Sequence, residues 1–239
     1  MLITVLQLVG VVIPLAGLVA LMHGKHRSDS AFLLMLTTIG CLIMNSGYLM
    51  SIIARDATSA MMGLKGEVLG NMVFFYCFVM FLLSYLNMKM PKPVLYGWGC
   101  FEVLYAAAFW YDPLRERLFH SFGFYNHGKL DIMVANNSYS LLFWLRNGCL
   151  AVVLAAGMCL FAFMVFRTKS NTERHNRARL AGALLLTGVS IWLMLIWQPP
   201  FHIVPVAASF ALLSVVISML TDGFFGITDM AHQEIFAQM

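Results

Sequence analysis

Seven stretches of strongly apolar residues, separated by short polar breaks, constrain this chain more than any other feature. They run over roughly residues 2–23, 31–54, 67–86, 94–111, 141–166, 179–197 and 203–220. A helix needs about 20 such residues, at about 1.5 Å each, to cross a hydrocarbon layer about 30 Å thick. Hydrophobic residues make up 61% of the chain and charged ones 11%. Soluble domains run at about 45–50% and about 25%, so this excess is too large for a water-facing fold to bury. The fold class expected is an all-α membrane protein. Residues 1–220 form a seven-transmembrane helix bundle, and residues 221–239 form a short cytoplasmic C-terminal helix.

The breaks carry the expected punctuation: "GKHRSDS", "RDATSAMMGLKG", "NMKMPKP" and "QPPF". Pro91, Pro93, Pro113, Pro199 and Pro200 sit in or beside joints, where a missing N–H does least harm. Pro14 lies inside the first span and is expected to kink it. A cleaved signal peptide would leave six spans, but no Lys or Arg precedes Lys25, and such a peptide begins with a basic segment. The first span therefore reads as a retained helix.

Basic residues in the connectors orient the bundle. With the N-terminus outside, the inner connectors hold Lys25, Arg27, Lys89, Lys92, Arg167, Lys169, Arg174, Arg177 and Arg179, nine in all. The outer side holds Arg55, Lys65, Arg115, Arg117 and Lys129, five in all, with Arg146 near a helix end. The reading is a multi-pass protein of the cell membrane with the N-terminus outside and the C-terminus in the cytoplasm.

Most standard chemistry is absent from the sequence. It has no H-E-x-x-H, Walker loop, G-x-S-x-G elbow or dinucleotide fingerprint. No catalytic residue, metal ligand or cofactor is assigned. No lysine falls inside a predicted span, so a retinal Schiff base has no amine. His23, His120, His127, His175, His202 and His232 fall at helix ends or in connectors and read as surface histidines. Cys41, Cys77, Cys100, Cys149 and Cys159 lie in apolar runs without a C-x-x-C pair, and read as small buried hydrophobes. The net charge of +4 gives no footprint for nucleic acid. No internal repeat supports a two-halves transporter. Gly66 and Gly70 form one G-x-x-x-G, a weak helix-packing signal.

Ionisable groups inside spans are costly and therefore informative. Glu102 lies about halfway along the fourth span. Glu67 and Asn71 lie near the outer start of the third, Arg146 near the outer start of the fifth, and Asn45 and Tyr48 in the outer half of the second. Because successive helices alternate in direction, most of these six groups gather in the outer half of the bundle. One reading is a polar ligand pocket open to the outside. The other is packing, with Glu102 hydrogen-bonded to a neighbouring helix and Arg146 snorkelling to the interface. The long connector over 112–138 is also outer, and its Phe119, Phe122, Phe124 and Tyr125 suit either a cap or interfacial anchors.

At the inner end, "SNTE" (Ser170 to Glu173) reads as a capping box, and Glu173 with Arg177 as an i,i+4 pair. In the tail, Ile227, Met230, Ala231 and Ile235 keep roughly helical spacing. These are candidate signal-transmitting positions.

Three segments resemble one family, the N-terminal seven-helix sensor region of bacterial histidine kinases, also found ahead of diguanylate cyclases. "YDPLRERLFHSFGF" resembles its Pro-plus-aromatic outer loop, and "NNSYSLLFWLRNGCL" the approach to its fifth span. "HIVPVAASFALLSVVISMLTDGFFGITDMAHQEIFAQM" resembles its last span and exit helix. In this chain "AHQE" stands where the family tends to keep an Arg. The resemblance implies a sensor without catalytic groups of its own, bathed in membrane lipids and responsive to an unidentified small-molecule ligand. It also implies a linker helix leading to an output domain and a homodimer formed through both. The rival readings are a small multi-helix transporter or channel, which needs a membrane-deep polar path, and an intramembrane enzyme, which needs a second catalytic group opposite Glu102.

Overall fold

The computed structural model of the protein describes residues 2–23, 29–86, 88–119, 122–127, 130–135, 141–168, 171–197 and 201–221. Seven long helices follow the seven apolar stretches: α1 (Leu2–His23), α2 (Asp29–Ile53), α3 (Ala57–Tyr85), α4 (Lys92–Trp110), α6 (Leu141–Arg167), α7 (Asn171–Trp197) and α8 (Val204–Thr221). Among the described residues, α1, α2, α3, α6 and the Glu173–Trp197 part of α7 are each long and apolar enough to cross a membrane. The 19 residues of α4 span about 28 Å at 1.5 Å each. The apolar part of α8 is Val204–Ser218.

Two helices start well before their apolar stretches. α3 begins at Ala57, within the expected connector, because Asp56 caps it: the Asp56 carboxylate accepts from the Ser59 N–H at 2.8 Å and from the Ser59 hydroxyl at 2.8 Å. These bonds hold the Asp56 carboxyl below its ordinary range. The early start brings Lys65 inside α3, correcting the expectation that no span holds a lysine. Its ammonium is matched by Asp112 at 2.7 Å. α7 likewise begins at Asn171, and its first turns carry the Glu173–Arg177 pair at 3.4 Å. The capping box at Ser170 lies outside the described residues, as do the tail positions Ile227, Met230, Ala231 and Ile235.

The 112–138 segment is not a plain loop. It folds as a short helix α5 (Asp112–Leu118) and an antiparallel hairpin of β1 (Phe122–His127) and β2 (Leu130–Ala135), in register Phe122 to Ala135 and His127 to Leu130. The hairpin packs on α2 and α3. Phe119 is buried against the rings of Tyr105 and Phe109. The side chains of Phe122, Phe124 and Tyr125 lie outside the described residues.

The most extensive packing is between α2 and α3, and glycine explains how close it is. A Cβ on Gly40 or Gly47 of α2 would stand 2.5 Å from the Phe74 nitrogen or 2.3 Å from the Glu67 nitrogen. On α3, a Cβ on Gly63 or Gly70 would stand 2.5 Å from the Ser51 nitrogen or 2.1 Å from the Met44 nitrogen. The backbones thus touch along two glycine pairs, each spaced by seven residues. The Gly66–Gly70 motif is not the relevant one, since Gly66 has only ordinary contact with Gly47.

Neighbouring helices follow the order α4, α3, α2, α1, α8, α7, α6. Backbone contact between the α3–α4 side and the α6–α7 side is sparse. Toward the end that holds Tyr85 and Arg167, this gap is filled by stacked rings. Phe74, Phe78, Phe81 and Tyr85 share one face of α3 and continue onto Phe161 of α6, with successive centroids 5.5, 6.4, 6.5 and 6.0 Å apart. Toward the hairpin end the gap remains open as a cavity.

Candidate functional site

The cavity has a volume of about 120 Å³ and lies where α3, α4, α6, α7 and the start of α8 converge beneath Phe119. Its polar groups come from three places: Glu67 and Asn71 on α3, Arg146 and Asn147 on α6, and His202 before α8. Most of the remaining wall is aromatic or aliphatic, including Phe75, Tyr105, Phe109, Phe143, Met194 and Leu195.

Arg146 is the hub on one side. It does not snorkel to an interface: the residue is 5% exposed. Its Nε and Nη2 donate to Glu102 Oε2 at 2.9 and 2.8 Å, and Nη2 also donates to Asn71 Oδ1 at 2.8 Å. The guanidinium lies over the Tyr105 ring, 4.7 Å from its centroid. Glu102 is 2% exposed, and its Oε1 accepts from the Trp98 indole N–H at 3.2 Å. Two charges that would each be prohibitive in hydrocarbon neutralise one another. This pairing unites the two readings of Glu102: it binds a neighbouring helix, and its partner forms a cavity wall.

His202 is the hub on the other side. Its Nδ1–H donates to Glu67 Oε1 at 2.6 Å, and its ring stacks on Tyr48 at 5.1 Å with an interplanar angle of 12°. Its backbone N–H donates to the Tyr48 hydroxyl at 2.7 Å. Burial pulls the imidazole pKa down, but the Glu67 charge and its hydrogen bond outweigh that and raise it above 6.5. The expectation of a surface histidine is therefore corrected. Glu67 Oε2 is buried and makes no hydrogen bond among the described residues.

Of the six site residues expected from sequence, Glu67, Asn71 and Arg146 line the cavity. Glu102 and Tyr48 stand behind it, holding Arg146 and His202. Asn45 belongs elsewhere. Its Nδ2 donates to the carbonyls of Cys41 and Pro205, and its Oδ1 accepts from Gln7 Nε2 at 2.9 Å. Ser209 of α8 donates to the Gly10 carbonyl at 2.7 Å beside it. This network joins α1, α2 and α8 in their buried interior.

Sequence reasoning did not single out His202, Asn147 or Tyr105 as site residues. His202 carried a usable signal: a polar residue in a break of a few residues, bracketed by prolines in "QPPFHIVP", is pinned at the bundle end. Tyr105 lies one turn from Glu102, so any partner of that carboxylate passes its ring. Lys65, Asp112 and Arg115 complete this end of the molecule. Asp112 bridges Lys65 and Arg115, and the Trp110 indole donates to the Lys65 carbonyl at 3.1 Å, which ties α3 to α4 and α5. The Lys65 contact, offset by some desolvation and aided by Arg115, holds the Asp112 carboxyl below its ordinary range.

No group of three or more metal-ligating side chains occurs among the described residues. No curated protein matches the chain. Seven long helices, the apolar outer faces and a polar cavity at one end agree with a family model that matches the chain. It describes the N-terminal 7TM region of histidine kinase, covers residues 5–228, and makes this chain a membrane protein of that family.

Proposed function

We propose that this membrane sensor module binds a small ligand in the cavity beneath the hairpin and passes the bias along α8 to a cytoplasmic output domain of kinase or cyclase type. The observation that carries the reading is the cavity wall. His202 and Val204, at the root of α8, line the same space as Glu67, Asn71 and Arg146. An occupant therefore touches α3, α6 and the first turn of α8 together, so any difference in fit between two helix arrangements biases α8. The count of nine inner against five outer basic residues supports N-terminus outside and C-terminus inside, with the cavity facing outward. Beyond the tail, pairing of two copies through the linker and output domain is the natural arrangement for such a relay. The transporter or channel reading draws less support, since rings from Phe74 to Phe161 occupy the space that a polar path would need.

The test is a chimera with a histidine-kinase catalytic region fused after Met239. Val68 of α3 also lines the cavity, and Val68→Phe, which fills it, should hold output at one level across conditions that vary it in the unaltered chimera. A folded variant regulated like the unaltered chimera would overturn the reading. A cytoplasm-dependent reporter at Met239 checks orientation, and a well-expressed but silent fusion would overturn that part.

A further inference from the structure

The presence of Arg146 at the cavity suggests an anionic ligand, yet the geometry argues for the opposite charge. Arg146 is already matched by Glu102 at 2.8 Å, by Asn71 at 2.8 Å and by the Tyr105 ring. These contacts use Nε and Nη2, so an anion at the rest of the guanidinium is the obvious rival. The charge count favours a cation once His202 has lost its proton. Glu67 and Glu102 each bring a negative charge, Arg146 one positive charge, and His202 a positive charge only when protonated. With His202 neutral the site holds one surplus negative charge, and the unmatched group is Glu67.

Glu67 also holds the unmet hydrogen-bonding capacity. The residue is 7% exposed, lines the cavity, and leaves Oε2 buried without a donor. A buried acceptor without a partner is costly, and one facing a cavity marks where a ligand's donor belongs. Around it, Phe75, Phe109, Phe119 and Phe143 supply aromatic walls, whose faces attract cations. A cavity of about 150 Å³ holds benzene; this one, at about 120 Å³, suits a body of similar size.

We infer that the cavity takes a small organic cation, a primary amine on a compact apolar or aromatic body, with its ammonium seated on Glu67 Oε2. This inference rests on the cavity being the ligand site proposed above. The ammonium and the His202 proton then compete for the same carboxylate. Apart from Glu67 on α3, the polar or charged groups around His202 among the described residues are Tyr48 of α2 and, in the cavity wall, Asn71 of α3 with Arg146 and Asn147 of α6. Tyr105 stands on α4, and the lining side chains of α7 and α8, Met194, Leu195 and Val204 among them, are uncharged. Amine affinity therefore rises with pH as His202 loses its proton, whereas an anion's would fall.

The purified chain in detergent micelles, titrated calorimetrically with benzylamine, benzyl alcohol and benzoate, tests this. The three share one body and differ in charge. Benzylamine should bind tightest, and its affinity should rise at least severalfold between about pH 5.5 and about pH 8, where it stays protonated itself. Glu67→Gln should weaken it by about tenfold or more, and Val68→Phe should abolish it. The pH profile needs no variant, so a poorly folded Glu67→Gln leaves the test intact. Benzoate or benzyl alcohol binding as tightly, and lost in Val68→Phe, would overturn the cation while leaving the ligand site standing. Binding by none of the three would overturn the cation, and the chimera experiment would then decide the sensor reading by itself.

Discussion

Removing one member of the Glu102–Arg146 pair should destabilise the bundle far more than removing both. The two side chains are 2% and 5% exposed and meet at 2.8 Å. At an effective dielectric near 20 their attraction is about 4–6 kcal/mol, and desolvating the two ions consumes much of it. The pair as a whole is therefore nearly neutral for stability. A lone buried charge is not, and stranding one costs about 3–5 kcal/mol. In Glu102→Leu, Arg146 keeps Asn71 and the Tyr105 ring, which places that variant near the lower bound. In Arg146→Met, Glu102 keeps, among the described residues, the Trp98 indole at 3.2 Å, which places it near the upper. Glu102→Leu with Arg146→Met should return to within about 1–2 kcal/mol of the parent, a coupling of about 3 kcal/mol or more. Reversible unfolding in mixed detergent micelles measures all four proteins. Single variants within about 1 kcal/mol of the parent, or losses that simply add in the double variant, would refute the reasoning. Glu102→Gln keeps the size and an oxygen for Arg146, so it separates stability from signalling. Lower stability with unchanged ligand response in the chimera would show that Glu102 only supports the helix packing.

Gly70→Ala should cost at least about 1–3 kcal/mol by overpacking, because its Cβ would meet the Met44 backbone at 2.1 Å, whereas Gly97→Ala, with open space around it, should be neutral. Parallel thermal melts in detergent compare the two, and equal melting points would argue against backbone contact between α2 and α3. The His202 pKa is raised above its ordinary 6.5 by Glu67 against the pull of burial. The ion pair's stabilisation is thus complete below about 6.5 and lost as pH rises through the higher folded value. His202→Phe should flatten that slope, and an unchanged pH profile of stability would exclude the pair as its source. In the kinase chimera, the proposed linker helix makes one Ala inserted between Thr228 and Asp229 a rotation of about 100° for everything beyond it, while seven residues nearly restore the face. Locked or inverted output is expected from the first and near-normal regulation from the second; equal behaviour would make the tail a passive tether.

Hydropathy determined the number, approximate position and alternating direction of the long helices, because crossing hydrocarbon is a requirement that each segment meets by itself. The same logic marked Glu102, Glu67 and Arg146, since any charge in a span needs a reason to be there. Sequence alone could not say which charges meet. That depends on how far each helix is rotated and tilted, and a turn of about 100° per residue separates Arg146 facing Glu102 from Arg146 facing lipid. The true start of α3 was hidden for a related reason. Lys65 looks like a loop residue until Asp112, 47 positions later, supplies its counter-charge. The glycine pairs 40/47 and 63/70 became meaningful only once α2 and α3 lay antiparallel in register, because a missing Cβ matters only where another backbone fills its place. His202 read as a surface residue because its partners, Tyr48 and Glu67, are 154 and 135 positions away. Chain order determined what each segment can tolerate; the packing of helices distant in sequence decided which of their polar groups share one cavity.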